Sequence, residues 1–178
     1  MKYLNAFELV ADQFRQAQIP FLLIGGFAVN YYNVSRNTAD IDFLIKEEDY
    51  ARGFEILKKF GYREFHRQSA FAQLKSTKSG FRDVDFIFVD ENTFKSLIGA
   101  GKEAKIAGQK AIFPSLEHLI ALKLHAIKNN PKLRVTKDLP DIIELIRMNR
   151  IRVKTSDFRN LCLKFGTQDV YEKILQAF

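Results

Sequence analysis

Cysteine is nearly absent: Cys162 stands alone among 178 residues. One thiol cannot close an internal disulfide, and it excludes a cysteine-rich zinc site; a reducing cytoplasm is the expected compartment. Histidine is scarce too, with three in the chain. His118 and His125 fall on the polar side of a helix expected at 115–129 and read as solvated side chains, while His66 is isolated. No apolar run approaches the ~20 residues that a membrane-crossing helix needs, so no membrane partner is expected. The opening MKYLNAFELVADQF is amphipathic and carries acids, unlike the apolar centre of a signal peptide. Internal repeats and low-complexity segments are also missing.

What is present suits a folded domain. Hydrophobic residues make up 47% of the chain and include 17 Phe, enough for a sizeable core. The formal net charge of +7 is unevenly spread, with 16 Lys and Arg against 14 Asp and Glu in residues 1–114, and 12 against 7 in residues 115–178. The C-terminal third is therefore the expected surface for a polyanion such as RNA or a triphosphate.

Periodicity predicts a helix over 5–18, stopped by Pro20. Strand 21–24, a glycine turn, a short helix at 27–32 and a strand at 40–45 follow. Then come helix 48–60, strands 62–67, 70–76 and 81–89, and a short helix beginning near Thr93. A hairpin at 103–113 turns at Gly108-Gln109, and helices are expected at 115–129, 136–149, 156–165 and 168–177. The order reads as an α/β core over 1–114, a twisted mixed sheet flanked by helices, with a C-terminal helical part over 115–178 packed on it as one compact unit.

The stretch Ile24 to Ile45, IGGFAVNYYNVSRNTADIDFLI, organises the rest. Gly25 and Gly26, lacking Cβ atoms, let backbone N–H groups approach a ligand where a helix begins, a natural phosphate site. Asp40 and Asp42 occupy alternate positions of an apolar strand and so share one face. Two such carboxylates repel unless a cation lies between them, and a hard divalent ion is the simplest solution. Taken alone, the glycine pair reads equally as a turn and the acids as an ordinary ion pair.

Together with Arg36 and Thr38, these residues resemble the nucleotidyltransferase superfamily, whose signature is Gly-Gly or Gly-Ser followed by Asp-x-Asp. The form Arg36-x-Thr38-x-Asp40-Ile41-Asp42 looks most like the AbiEii abortive-infection and related toxin–antitoxin nucleotidyltransferases. The resemblance implies a polymerase-beta-like fold, an NTP substrate and Mg2+ or Mn2+ held by Asp40, Asp42 and a third acid. Asp83 and Asp85 both offer that acid; the apolar neighbours of Asp85 match the family pattern, and Asp83 is the alternative. Gly25-Gly26 replaces the Gly-Ser of many relatives, which removes one hydroxyl.

Lys123 falls in the middle of the apolar stripe of helix 115–129. Such a lysine either snorkels or aims its charge into a polar cleft, and the resemblance implies contact with the triphosphate. On this reading Lys123→Met weakens NTP binding and leaves thermal stability nearly unchanged or raised. Arg134 to Asp141 resembles the family's Arg-x-x-Lys-Asp-x-x-Asp box, which adds Lys137, Asp138 and Asp141 to the nucleotide site. The structural alternative makes Asp138 a helix N-cap before Pro140, with Lys137 paired to Asp141. Arg36 and Thr38 brace the acidic strand, with Arg36 within reach of a phosphate.

The expected activity is transfer of a nucleoside monophosphate from an NTP to an acceptor hydroxyl on RNA, tRNA included, or on a protein, in a toxin–antitoxin setting with a cognate partner. The alternatives are an antibiotic nucleotidyltransferase of the aminoglycoside or lincosamide type, and a degenerate relative that binds RNA or a partner without catalysis.

Overall fold

The structure, a computed structural model, describes residues 3–178. The chain falls into two units, Met1–Ala28 with Asn37–Ser115, and Val29–Arg36 with Leu116–Phe178.

The first unit is built on a mixed sheet. Strands β1 (Leu22–Leu23), β2 (Asp40–Lys46), β3 (Tyr62–Arg67), β4 (Phe71–Ser76) and β5 (Asp83–Val89) lie in the order β1-β2-β5-β4-β3. Only β2 and β5 run parallel, and the other pairings are antiparallel. Alternation fixes which way each residue faces. In β2 and β5 the residues Ile41, Phe43, Val84 and Phe86 are buried, whereas Asp40, Asp42, Asp83 and Asp85 between them are partly exposed. A one-residue slip would bury all four acids, so the register is strongly specified.

The buried face is aromatic. Phe14 of helix α1 (Ala6–Gln16) stacks on Phe86, and Phe86 stacks on Phe43 with ring centroids 5.8 Å apart. Tyr50, which opens helix α3 (Tyr50–Lys58), meets the ring of Phe86 edge-on and donates its hydroxyl to Glu64 at 2.5 Å. Asn5 caps α1, its side-chain oxygen accepting from the Glu8 N–H at 2.8 Å. Helix α2 (Gly25–Tyr31) begins at the first glycine and not after the pair, the Ala28 N–H donating to the Ile24 carbonyl at 3.3 Å, while Gly25 itself takes a left-handed φ of +58°. Helix α4 (Glu91–Gly99) is capped by Asp90. The hairpin of β6 (Lys102–Ile106) and β7 (Gln109–Phe113) turns at Ala107-Gly108, one residue earlier than expected. Both residues have positive φ, as a two-residue type I′ turn requires.

The second unit contains helices α5 (Leu116–Asn129), α6 (Pro131–Met148), α7 (Ser156–Phe165) and α8 (Gln168–Leu175). Its core draws on Leu124, Ile127, Ile142, Leu145, Phe158 and Ile174. Cys162 is fully buried here, and burial pushes its thiol up to about 12. Helix α6 starts at Pro131 instead of 136 and runs through Pro140. Pro131 suits a first turn, whose N–H has no helical partner. Pro140 offers no N–H to the Thr136 carbonyl, a loss that falls at an exposed residue. Asp138 is consequently mid-helix and buried, which corrects the N-cap reading. Among the described residues no helix is long and apolar enough to cross a membrane.

Candidate active site

The parallel pairing of β2 with β5 sets Asp42 opposite Asp85 and Asp40 opposite Asp83. Asp40, Asp42 and Asp85 each present a carboxylate oxygen, and these atoms lie within 4.8 Å of one another. Two of the three have a named support. Thr38 donates its hydroxyl to Asp40 Oδ1 at 2.8 Å, and Gln73 of β4 donates its amide to Asp85 Oδ2 at 3.1 Å. Asp83 is used differently: its Oδ1 accepts the Ser76 backbone N–H at 3.0 Å and ties β5 to β4.

The glycines make room for this arrangement. A Cβ on Gly25 would collide with the Asp42 carboxylate, and one on Gly26 would lie 2.7 Å from Thr38 Cβ. Gly25 therefore serves Asp42, and Gly26 serves the residue that orients Asp40. Three carboxylates this close repel one another without a cation, and an all-oxygen donor set suits a hard divalent ion. The residues fit such a metal.

The second group is ionic and buried, within the helical unit. Lys123 Nζ donates to Asp138 Oδ1 at 2.8 Å and to Asp141 Oδ2 at 2.6 Å. Arg36 reaches the same Asp141 oxygen at 2.6 Å, and Arg134 lies 3.7 Å from Asp138 Oδ2. Asn30 fixes Arg36 by accepting its backbone N–H and donating to its carbonyl, both at 2.8 Å. Three cations face two carboxylates, so the cluster keeps a net positive charge. Lys137 is exposed and stands outside it.

Beside the triad lies a cavity of about 230 Å³ lined by Asp40, Asp83, Asp85, Gln73, Lys75 and Phe65. Sequence reasoning passed over Gln73 and Phe65. Gln73 becomes visible only through its register with Asp85. Phe65 had one signal, an apolar ring among the exposed residues that follow Tyr62 in β3.

A parallel pair of central strands bearing three convergent acids, with a glycine pair against one of them, defines the nucleotidyltransferase class. The chain belongs to the family described as "Nucleotidyl transferase of unknown function (DUF2204)", which it matches over residues 3–176. It is thus a transferase with a nucleotide substrate. No curated protein matches it. Solved structures share the fold. The solution structure of antibiotic-resistance factor ANT(2'')-Ia is similar at 16% identity, with 96% of this chain and 93% of that one covered and a TM-score of 0.64. The lincosamide antibiotic adenylyltransferase LnuA, bound to lincomycin, is similar at 18% identity, covering 78% and 93%, with a TM-score of 0.56. An antigenic nucleotidyltransferase-like protein from Paracoccidioides brasiliensis is similar at 17% identity, covering 98% and 94%, with a TM-score of 0.53.

Proposed function

We propose that the chain transfers a nucleoside monophosphate from an NTP to a hydroxyl of a nucleic-acid acceptor, RNA foremost, with Mg2+ or Mn2+ held by Asp40, Asp42 and Asp85. The convergence of these three carboxylates within 4.8 Å carries this reading. The divalent ion supplies charge that offsets the phosphates and eases ionisation of the acceptor hydroxyl. Thr38 and Gln73 hold Asp40 and Asp85 in the orientation the reaction needs. The acceptor oxygen forms a bond to the α-phosphorus, the bond from that phosphorus to the β-phosphate bridge breaks, and pyrophosphate leaves. The hydroxyl proton passes toward the Asp85 carboxylate, which borders the cavity. Backbone N–H groups at Gly25 and Gly26 are assigned to the triphosphate.

Lys123, Arg36, Asp138 and Asp141 are assigned to the nucleotide as a preorganised cluster that, with Arg134, carries an excess positive charge suited to phosphate; Lys137 adds an exposed charge. A triphosphate binding directly to Lys123 would have to compete with two carboxylates, so the part of Lys123 is to set the positions of Arg36 and Asp141. The Arg36-x-Thr38-x-Asp-Ile-Asp form supports an AbiEii-like, toxin–antitoxin setting with a cognate partner. A second reading, antibiotic modification, draws on the fold shared with ANT(2'')-Ia and LnuA.

The experiment is label transfer. Each α-labelled NTP is incubated with the protein, Mg2+ or Mn2+, and tRNA, single-stranded RNA, protein or antibiotic acceptors. Label on RNA supports the reading. Label on an antibiotic alone refutes the acceptor and retains the chemistry. Divalent-independent NTP binding without transfer points to a degenerate relative.

A further inference from the structure

The edge of the sheet next to the triad carries a feature that transfer chemistry alone does not require. In β3 the residues after Tyr62 are all exposed, and the pairing with β4 shifts between Glu64 and His66, leaving Phe65 as an extra, bulged residue. Bulges re-aim side chains and gather near active sites. Glu64 and Arg67, though exposed, both meet Tyr50, Glu64 accepting from its hydroxyl and Arg67 lying over its ring. Phe65 instead lines the cavity with Asp85 and Gln73, at 63% exposure. An exposed phenyl ring beside three carboxylates gains nothing from packing.

The cations around it are equally unspent. Arg63 and Lys75 are direct cross-strand partners, both exposed, and among the described residues neither forms an ion pair. Like charges placed opposite each other destabilise a sheet, and an anion between them removes that cost. Lys75 lies over the Phe65 ring, its Nζ 3.6 Å from the centroid, so it shields the ring until a better partner arrives.

We infer that Phe65, Lys75 and Arg63 form an acceptor subsite for an unpaired nucleotide of a single-stranded nucleic acid, an inference that rests on the transferase reading above. The base stacks on Phe65 in place of the Lys75 ammonium, and Lys75 turns to the backbone phosphates together with Arg63. The bound strand thereby leads its terminal sugar hydroxyl along the cavity to Asp85. Aromatic stacking with flanking cations is how proteins hold unpaired nucleotides without reading their sequence.

The test measures binding of a fluorescein-labelled oligoadenylate of ribo or deoxyribo type by anisotropy, with NTP and metal omitted. Phe65→Ala should weaken binding roughly 5- to 150-fold, the range for loss of one base–aromatic stack, and Phe65→Tyr should restore it. Lys75→Gln should reduce the dependence of log affinity on log salt by about one contact. Phe65→Ala and Phe65→Tyr should keep the wild-type melting temperature, since the side chain is exposed, Lys75→Gln should match or slightly raise it by removing a like-charge pair, and Phe65→Ala should bind NTP as the wild type does. A ribo-specific effect places the sugar hydroxyl in the subsite, and an equal effect on both strands places only base and phosphate there. Either supports the inference. Unchanged oligonucleotide affinity in Phe65→Ala overturns it, as does duplex RNA binding as tightly as single strands. Transfer of label to an antibiotic with no oligonucleotide binding would sink the subsite and leave the transferase standing. Absence of NTP binding in the wild type would sink the transferase reading itself.

Discussion

Replacing Lys123 by Met is the most informative perturbation of the helical unit. The stem keeps its bulk while the charge disappears. The side chains of Lys123, Asp138 and Asp141 are 7%, 5% and 10% exposed, so solvent does little to screen what remains. Removing one partner of a buried ion pair costs about 3–5 kcal/mol, chiefly because the other charge stays buried without compensation. Arg36 still holds Asp141 at 2.6 Å, which places the loss at the lower end, about 3 kcal/mol. Asp138 fares worse, since its Oδ2 already lacks a hydrogen bond and Arg134 stands 3.7 Å away. For a chain of this size each kcal/mol moves the melting temperature by about 2–4 °C, so Lys123→Met should lower it by roughly 6–12 °C. Calorimetry or a urea titration reads this directly. Adding Asp138→Leu to Lys123→Met should recover a large part of the loss by removing the stranded carboxylate. A single variant within about 2 °C of wild type would refute the reasoning. The reading of Lys123 as a lone charge on an apolar stripe expects that small effect. The two carboxylates brought by α6 reverse it.

Other outcomes follow from the acidic unit. Gly25→Ala should cost about 1–2 kcal/mol for its left-handed backbone, and should abolish transfer as well, because the added methyl displaces the Asp42 carboxylate. Gly80→Ala, also at positive φ but with open space around it, should show the stability loss with transfer intact. Asp90 should set part of the acid sensitivity. Hydrogen bonds from the Thr93 hydroxyl and N–H and from the Asn92 N–H hold its carboxyl below the ordinary range. Its stabilisation of α4 is thus complete above the unfolded carboxylate range and is lost as pH falls through the lowered folded value. Asp90→Asn, followed by thermal melts across acidic pH, should flatten that limb.

The mixed α/β class was legible because period-2 and period-3.6 patterns were clear and the punctuating glycines few. Asp40 and Asp42 could be read from spacing alone, since strand geometry dictates a common face. The choice between Asp83 and Asp85 needed more. Both share that face, and their different hydrogen bonds depend on the register with β4. The Lys123 partners were hidden for a related reason. Asp138 and Asp141 resembled a cap and a surface pair as long as Pro140 was taken to bound a helix, and α6 passes through it. Phe65 was not legible as a site residue because a bulge changes which residues of β3 face the acids, and the sequence does not mark where the register shifts.

The central claim is that Asp40, Asp42 and Asp85 form one metal-dependent transfer centre. The most direct measurement is transfer from an α-labelled NTP to single-stranded RNA in the presence of Mg2+ or Mn2+, with Asp42→Asn and Asp85→Asn alongside the wild type. The account predicts label on RNA with the wild type and none with either variant. It also predicts melting temperatures for the metal-free variants that equal or exceed the wild-type value, because each substitution relieves repulsion among the carboxylates. Transfer that survives both substitutions, or a wild-type protein with no divalent-dependent binding of any NTP, would contradict it.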